Sequence, residues 1–496
     1  MFFREILIDR FRFGFGDDGD GRFVVFISNQ WWDLGFERIL NGQGFFFHPQ
    51  EYVLGYSDLL IGFSPIRIIS EVLNINLFTS LILFVSLLSF LSFVGILKYV
   101  KIFQNQQLNN FQLLVISVAC FGSGLSVSAS THPQLFMIYL YPWVLYFFEK
   151  AKLNKKSSFY LGMLLGLILI SSIYIFIFSV ISIVFLYLIQ FRHFKHNFFL
   201  SSLYLVSGLF LTGFYAFFIY LRTYLILGPR SREDLIGDIP PIFNVFNYGE
   251  SNLLWGSLVK QFVPFFGNGA GDNNYAIAVT PVLTMICISF LIIFRKNAQS
   301  LALFLSGSFL ILLTVQFRGI SLWAILSYVP GFDVIRSIGR VQLVSHFLIC
   351  IALAILLARI NKIRTLGHVL SIGLVSLIFI ENVSLGLITG VDLKKQEILV
   401  NLGKQIPEGC ESFFAIAGDF ERPNFAYQVD AMIVAMGARV PTLNGYSGNQ
   451  PTDWQVNNIQ FPDYADRIKK WTRQKNINET ICQIDLDNKT WSVFKY

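Results

Sequence analysis

The sequence predicts an all-α polytopic membrane bundle of about ten helices, followed by a small α/β domain at the carboxyl end. Three observations carry that expectation. Hydrophobic residues make up 54% of the 496 residues and charged residues only 14%, more apolar surface than a globular core can bury. The apolar residues fall in runs of about 20, the length a helix needs to span the hydrocarbon. Lys and Arg sit in short clusters between those runs, as short cytoplasmic loops require. The formal charge is +7, but its dispersal among loops argues against a nucleic-acid partner.

The candidate spans are residues 77–97, 113–129, 135–148, 199–221, 275–294, 301–317, 341–358 and 366–388. A further run, Ser157 to Phe191, carries no charge and is too long for one crossing. The polar "SSIY" at Ser171 to Tyr174 divides it into two short helices. The basic segments "KYVK" (98–101), "EKAKLNKK" (149–156), "FRHFKH" (191–196), "RK" (295–296) and "RINKIR" (359–364) test the count. If all face the cytoplasm of a plasma (inner) membrane, the runs between them cross in pairs. This parity gives three units: an extracytoplasmic segment 1–76, a bundle 77–390 with outer loops at 222–274 and 318–340, and an extracytoplasmic tail 391–496. The segment "MFFREILIDRFRFGFG" is too short and too charged to export the rest of the amino-terminal unit, so an initial transmembrane helix is expected to be missing.

In the tail, "ESFFAIA" and "CQIDLD" read as strands, "FAYQVDAMIVAMGA" as a helix, and "VPTLNGYSGNQPTDW" as a structured loop. Cys410 and Cys482 lie there, and an oxidising compartment would let them pair. Cys120, Cys287 and Cys350 lie in apolar runs and read as small buried hydrophobes.

Three stretches hold candidate chemistry. "GFGDDGDGRF" gathers Asp17, Asp18 and Asp20. Clustered carboxylates raise one another's pKa, which suits a general base, or they bind a hard divalent cation; the plainer reading is a solvated Gly/Asp turn. "FFFHPQEYVLGYSDLLIGFSPIRII" carries His48, Glu51 and Asp58 among aromatics, either lining a substrate site or lying in a surface helix at the membrane interface. "YVPGFDVIRSIGRVQLV" carries Arg336 and Arg340, four apart and on one face if helical. Guanidinium groups there suit a lipid phosphate held bidentately; the alternative is an ordinary interfacial pair. His132 lies on a short outer turn and reads either as a functional group or, more plainly, as a structural interfacial histidine, and Glu381 as a costly intramembrane charge near headgroup level.

In "GDGRF" (19–23), "HPQEYVLGYSDLLIGFSPIRII" (48–69), "LSYVPGFDVIRSIGRV" (326–341) and "YQVDAMIVAMGARVPTLNGYSGNQPTDW" (427–454), the chain resembles the GT-C superfamily of polytopic glycosyltransferases, in particular the bacterial YfhO-like and related GT-C-like membrane proteins. These anchors span most of the chain. The resemblance implies hexosyl or pentosyl transfer from a polyprenyl-phosphate-linked sugar, at the outer face, to a glycan, lipid or protein acceptor. It implies a catalytic Asp in the first outer loop, matched here by Asp20 with Asp18 as runner-up. Arg336 and Arg340 would clamp the phosphate, with Asp58, Glu51 and His48 as further substrate-binding groups. The family keeps a transmembrane helix before that Asp, and this chain departs from the pattern there. Two other readings stand beside it: a lipid or polysaccharide transporter, and a non-catalytic assembly component with the same fold. Transporters more often show internal repeats and midplane charges, and neither is visible here.

Overall fold

The computed structural model describes residues 8–103, 131–193, 198–266, 281–293, 298–360, 364–383, 389–418 and 422–494. It is mostly helical. Among the described residues, four helices are long and apolar enough to cross a membrane: Leu77–Ile102, Ile173–Gln190, Phe199–Leu227 and Ile338–Leu356. Ala298–Thr314 and Ile372–Glu381 are shorter apolar helices. The span expected at 113–129 and the basic pair 295–296 lie outside the described residues.

Local sequence explains where these helices begin. Asn76 caps Leu77–Ile102 by accepting the Thr79 N–H at 2.8 Å. Asn154 does the same for Lys155–Leu169 through Lys156 at 2.9 Å. The uncharged run divides as its polar centre requires, into Lys155–Leu169 and Ile173–Gln190. The run at 135–148 differs from the expectation of one span. It is a 3-10 helix, Pro133–Leu140, followed by the α-helix Tyr141–Ala151. Pro142 offers no N–H to the preceding turn, so the α-helical ladder starts afresh beside it. Every residue of Pro133–Leu140 is buried.

Helices Lys155–Leu169 and Phe198–Leu227 pack backbone to backbone. A Cβ on Gly162 would lie 2.0 Å from Leu205 O, and one on Gly208 would lie 2.1 Å from Phe159 O. Small residues are what let apolar helices approach this closely where no hydrophobic force separates protein from lipid.

Chain direction gives the bundle two chemically different ends. Lys98 and Lys101 close Leu77–Ile102, Lys150 closes Tyr141–Ala151, and Arg192 follows Ile173–Gln190. These helix ends meet, because Gln299 Nε2 donates to Tyr99 Oη at 2.9 Å and to Glu149 Oε1 at 3.0 Å, and Gln190 Nε2 donates to Gln299 Oε1 at 3.0 Å. The opposite end collects Leu77, Leu169, Ile173, Leu227 and Ile338.

The tail builds a three-stranded sheet. Its central strand Ile481–Asp485 runs parallel to Ser412–Ile416 and antiparallel to Thr490–Val493. Helices Leu393–Gly403, Asn424–Ala438 and Tyr464–Gln474 complete the unit. Cys410 and Cys482 are joined as a disulfide, with their Cα atoms 5.8 Å apart, while Cys287 and Cys350 are buried and in no disulfide.

The amino-terminal segment folds into this tail rather than apart from it. Phe13–Phe15 pairs antiparallel with Thr389–Asp392. Arg22 is fully buried, its guanidinium bonded to Asp430 and, at 2.8 Å, to Gln396 Oε1. Phe47 N–H reaches Asn444 O at 2.9 Å, and Thr442 N–H reaches Phe45 O at 3.0 Å. Segments separated by hundreds of residues therefore close over the end of the bundle away from the basic helix ends.

Candidate functional site

A cavity of about 400 Å³ lies where the amino-terminal segment, the bundle and the tail meet. Asp20, Asp58, His132, Arg336, Arg340 and Tyr446 line it together. The sequence names five of these six in separate stretches, and the fold brings them to one place.

Asp20 is the first residue of helix Asp20–Gln30. The "DGDG" stretch makes the turn that aims it. Asp17 Oδ1 accepts the Gly19 N–H at 3.0 Å, and a Cβ on Gly21 would lie 2.4 Å from Phe15 O, so only glycine lets the helix start this close to the strand. Asp20 Oδ2 bonds His132 Nδ1, and its Oδ1 accepts the Tyr446 hydroxyl at 2.7 Å. Burial works against ionising Asp20, but the His132 and Tyr446 hydrogen bonds and the Arg340 charge outweigh it and hold the carboxyl below its usual range. The clustering of acids therefore does not raise Asp20. Burial and the adjacent Asp20 carboxylate push the Tyr446 hydroxyl up.

The three clustered carboxylates point to three different partners. Asp18 is 41% exposed, lies 3.8 Å from Arg22 and 4.0 Å from Arg422, and is outside the cavity. Among the described residues no group of three or more His, Cys, Asp or Glu side chains is arranged to hold a metal ion. The geometry around Asp20 is that of a hydrogen-bonded carboxylate rather than of a cation ligand set.

Asp58 explains the break at Ser171–Ser172. Its Oδ1 accepts the N–H of Ile173 at 2.6 Å, so a carboxylate from a distant loop caps a helix whose own Ser172 makes no side-chain cap. Burial pushes Asp58 up to about 6, against the opposing pull of the Ile173 N–H and Arg340. Because its folded pKa lies above its unfolded value, the folded state binds the extra proton between pH 4 and 6. Stability therefore falls as pH rises through that window and stays lower above it, by about 3 kcal/mol. Asp58→Asn keeps a cap acceptor without the charge. It is expected to raise the thermal midpoint above pH 6 and to flatten the fall between pH 4 and 6, measured by thermal unfolding of the detergent-solubilised protein across pH. An unchanged pH dependence would show that Asp58 does not titrate there.

Arg340 is 7% exposed and lies over the Tyr174 ring, 4.5 Å from its centroid. Its Nε makes no hydrogen bond. The hydroxyls of Tyr56 and Ser447, in the same cavity, are buried and unbonded as well. Arg336 is 57% exposed, with Nε 3.2 Å from Asp238 Oδ2. The two arginines do not share a helix face, because Arg336 precedes the 3-10 turn Ile338–Val341 in irregular chain. What unites them is the cavity, with Arg340 inside and Arg336 toward solvent.

His48 and Glu51 lie outside this cavity. His48 pairs with Glu479 at 2.7 Å, and its backbone carbonyl accepts the Trp471 indole N–H at 2.9 Å. Its backbone pairing with Thr442 turns the side chain into the tail. Glu51 is exposed. Glu381 is also elsewhere, buried and accepting the Trp255 indole N–H at 2.9 Å. Sequence reasoning missed Tyr446, Tyr174, Tyr56 and Ser447. Only the "LNGYSGN" turn signal pointed toward two of them, and it spoke of a loop rather than of what the loop covers. No protein-family model matches the chain, and no curated protein matches its sequence.

Proposed function

We propose that the chain transfers a sugar from a polyprenyl phosphate donor to an acceptor hydroxyl at the extracytoplasmic face of the membrane. The observation that carries this reading is the buried Arg340 guanidinium, with an unbonded Nε, in one cavity with the hydrogen-bonded Asp20. A buried cation with a free donor is costly unless an anion completes it, and a phosphate oxygen has the right charge and geometry. The unbonded Tyr56 and Ser447 hydroxyls suit the hydroxyls of a sugar ring.

The chemistry needs two things from these residues. As the acceptor oxygen bonds the anomeric carbon, the carbon–phosphate oxygen bond breaks and its electron pair leaves with the lipid phosphate, beside Arg340 and Arg336. The acceptor proton passes to a basic group of the Asp20 cluster. The cavity lies at the end of the apolar helices, so a polyprenyl tail stays in lipid while its phosphate enters. The Cys410–Cys482 disulfide supports the extracytoplasmic side, where such bonds persist, and the gathering of basic helix ends away from the cavity agrees with it.

The test is release of polyprenyl phosphate by the full chain in proteoliposomes, given polyprenyl-phosphate hexoses and pentoses with short oligosaccharide acceptors. Release with transfer is expected, falling at least about 100-fold in Asp20→Asn while membrane insertion and expression persist. No release from any donor would sink the transferase reading.

A further inference from the structure

We propose that His132, not Asp20, takes the proton from the acceptor hydroxyl, and that Asp20 is the positioning residue that orients the imidazole. This rests on the transferase reading above and names a residue for its central step. Both Asp20 oxygens are already engaged, Oδ2 by His132 and Oδ1 by Tyr446, so any proton would arrive at an oxygen that already accepts a hydrogen bond. Its carboxyl is also held below the usual range, which weakens it further as a base. His132 has the complementary arrangement. An ionised carboxylate only accepts hydrogen bonds, so the Nδ1 that faces Asp20 carries the proton and the Nε2 lone pair is left over. Nε2 makes no hydrogen bond among the described residues, and the ring lines the cavity.

The elements on either side hold this tautomer in place. His132 immediately precedes the buried helix Pro133–Leu140, and its carbonyl accepts the Leu135 N–H at 2.9 Å. Tyr446 comes from the tail and fixes the far oxygen of Asp20 at 2.7 Å, so the carboxylate cannot rotate away from the ring. In the step itself the acceptor O–H bond breaks, its proton joins Nε2, and the oxygen's electron pair forms the bond to the sugar. The resulting imidazolium lies against the Asp20 carboxylate, which compensates its charge. Opening of the cavity to water then returns the proton to solvent. The other charged or titratable groups of the cavity are Asp58, Arg336, Arg340 and the tyrosines at 56, 174, 220, 224 and 446, with Arg230 at its rim. Arg340 and Arg336 oppose a positive ring, Asp58 favours it, and Asp20 is the group in direct contact.

The proteoliposome assay is run across pH with wild type, His132→Gln, His132→Gly and Asp20→Asn. Wild type is expected to show an acid limb of slope one in log kcat/KM. His132→Gln should lose at least 100-fold and the limb itself, and added imidazole should restore His132→Gly severalfold. Asp20→Asn should keep a limb, moved to lower pH, because the imidazolium has lost its carboxylate. A limb that persists in His132→Gln and vanishes in Asp20→Asn would make Asp20 the acceptor and overturn the proposal. Wild type that releases no lipid phosphate would instead overturn the transferase reading. Nitrogen NMR of ring-labelled histidine in the wild-type protein, assigned through His132→Gln, provides a readout independent of turnover. The proton at pH 8 is expected on Nδ1, and a proton on Nε2 would overturn the dyad.

Discussion

Arg340→Met is expected to lower kcat/KM for a polyprenyl-phosphate sugar by about 10²–10³, while the protein inserts normally and loses far less stability than activity. Arg340 is buried, makes a ring contact with Tyr174, and leaves Nε without a hydrogen bond. Its charge also offsets the buried Asp20 and Asp58 carboxyls, so removing it costs some stability, while an apolar side chain of similar length opens no void. The same cation, with a phosphate present, makes charge-assisted hydrogen bonds that strengthen as the leaving group gains charge, an effect of about 3–4 kcal/mol on the barrier. Competition by free polyprenyl phosphate should weaken in parallel. Equal loss of stability and activity would assign Arg340 to the fold instead.

The second large effect is expected from the disulfide. Replacing Cys410 and Cys482 by serine frees two residues 72 apart in sequence, and the chain-entropy relation puts the loss at about 4 kcal/mol. Cys482 sits in the central strand, paired with Phe413 and Val493, so loosening should spread across the sheet. The strand Ser412–Ile416 also supports the turn that carries Tyr446, because Asn444 Oδ1 accepts the Ala415 N–H at 2.8 Å. Activity should therefore fall with tail stability, measured by thermal unfolding and limited proteolysis with and without reductant. A change below about 1 kcal/mol would show that the sheet stands without its crosslink.

How much of this was legible in the sequence depended on the range of the interaction responsible. Local signals read well. The polar break near Ser171 divides a charge-free run, and the strand Ser412–Ile416 lies within "ESFFAIA". The run at 135–148 holds two consecutive helical segments that apolar content alone does not separate; the prolines at 133 and 142 mark where each begins. The arginine pair was read from helical spacing that the chain does not adopt at Arg336, yet both residues reach the cavity. The sequence leaves His132 between a functional and an interfacial role, because its partner lies 112 residues away. Tyr446 was invisible for the same reason, at 426 residues from Asp20. Nothing in a loop's composition names the carboxylate it will meet. His48 shows the converse: its aromatic neighbourhood resembled a site, and long-range pairing with Glu479 and Thr442 turned it into a tether.

That separation of Asp20 from Tyr446 also sets a clock on biosynthesis. At roughly 5–20 residues per second, a ribosome needs roughly 20 to 85 seconds to travel between the two codons. Throughout that interval the buried partners of the amino-terminal segment, Asp430 for Arg22 and Asn444 for Phe47, do not yet exist. The nascent chain must therefore leave Arg22 and the Phe47 N–H to water until its last stretch arrives. Any chain interrupted before residue 430 keeps those groups exposed and lacks the cavity wall that Tyr446 and Ser447 form.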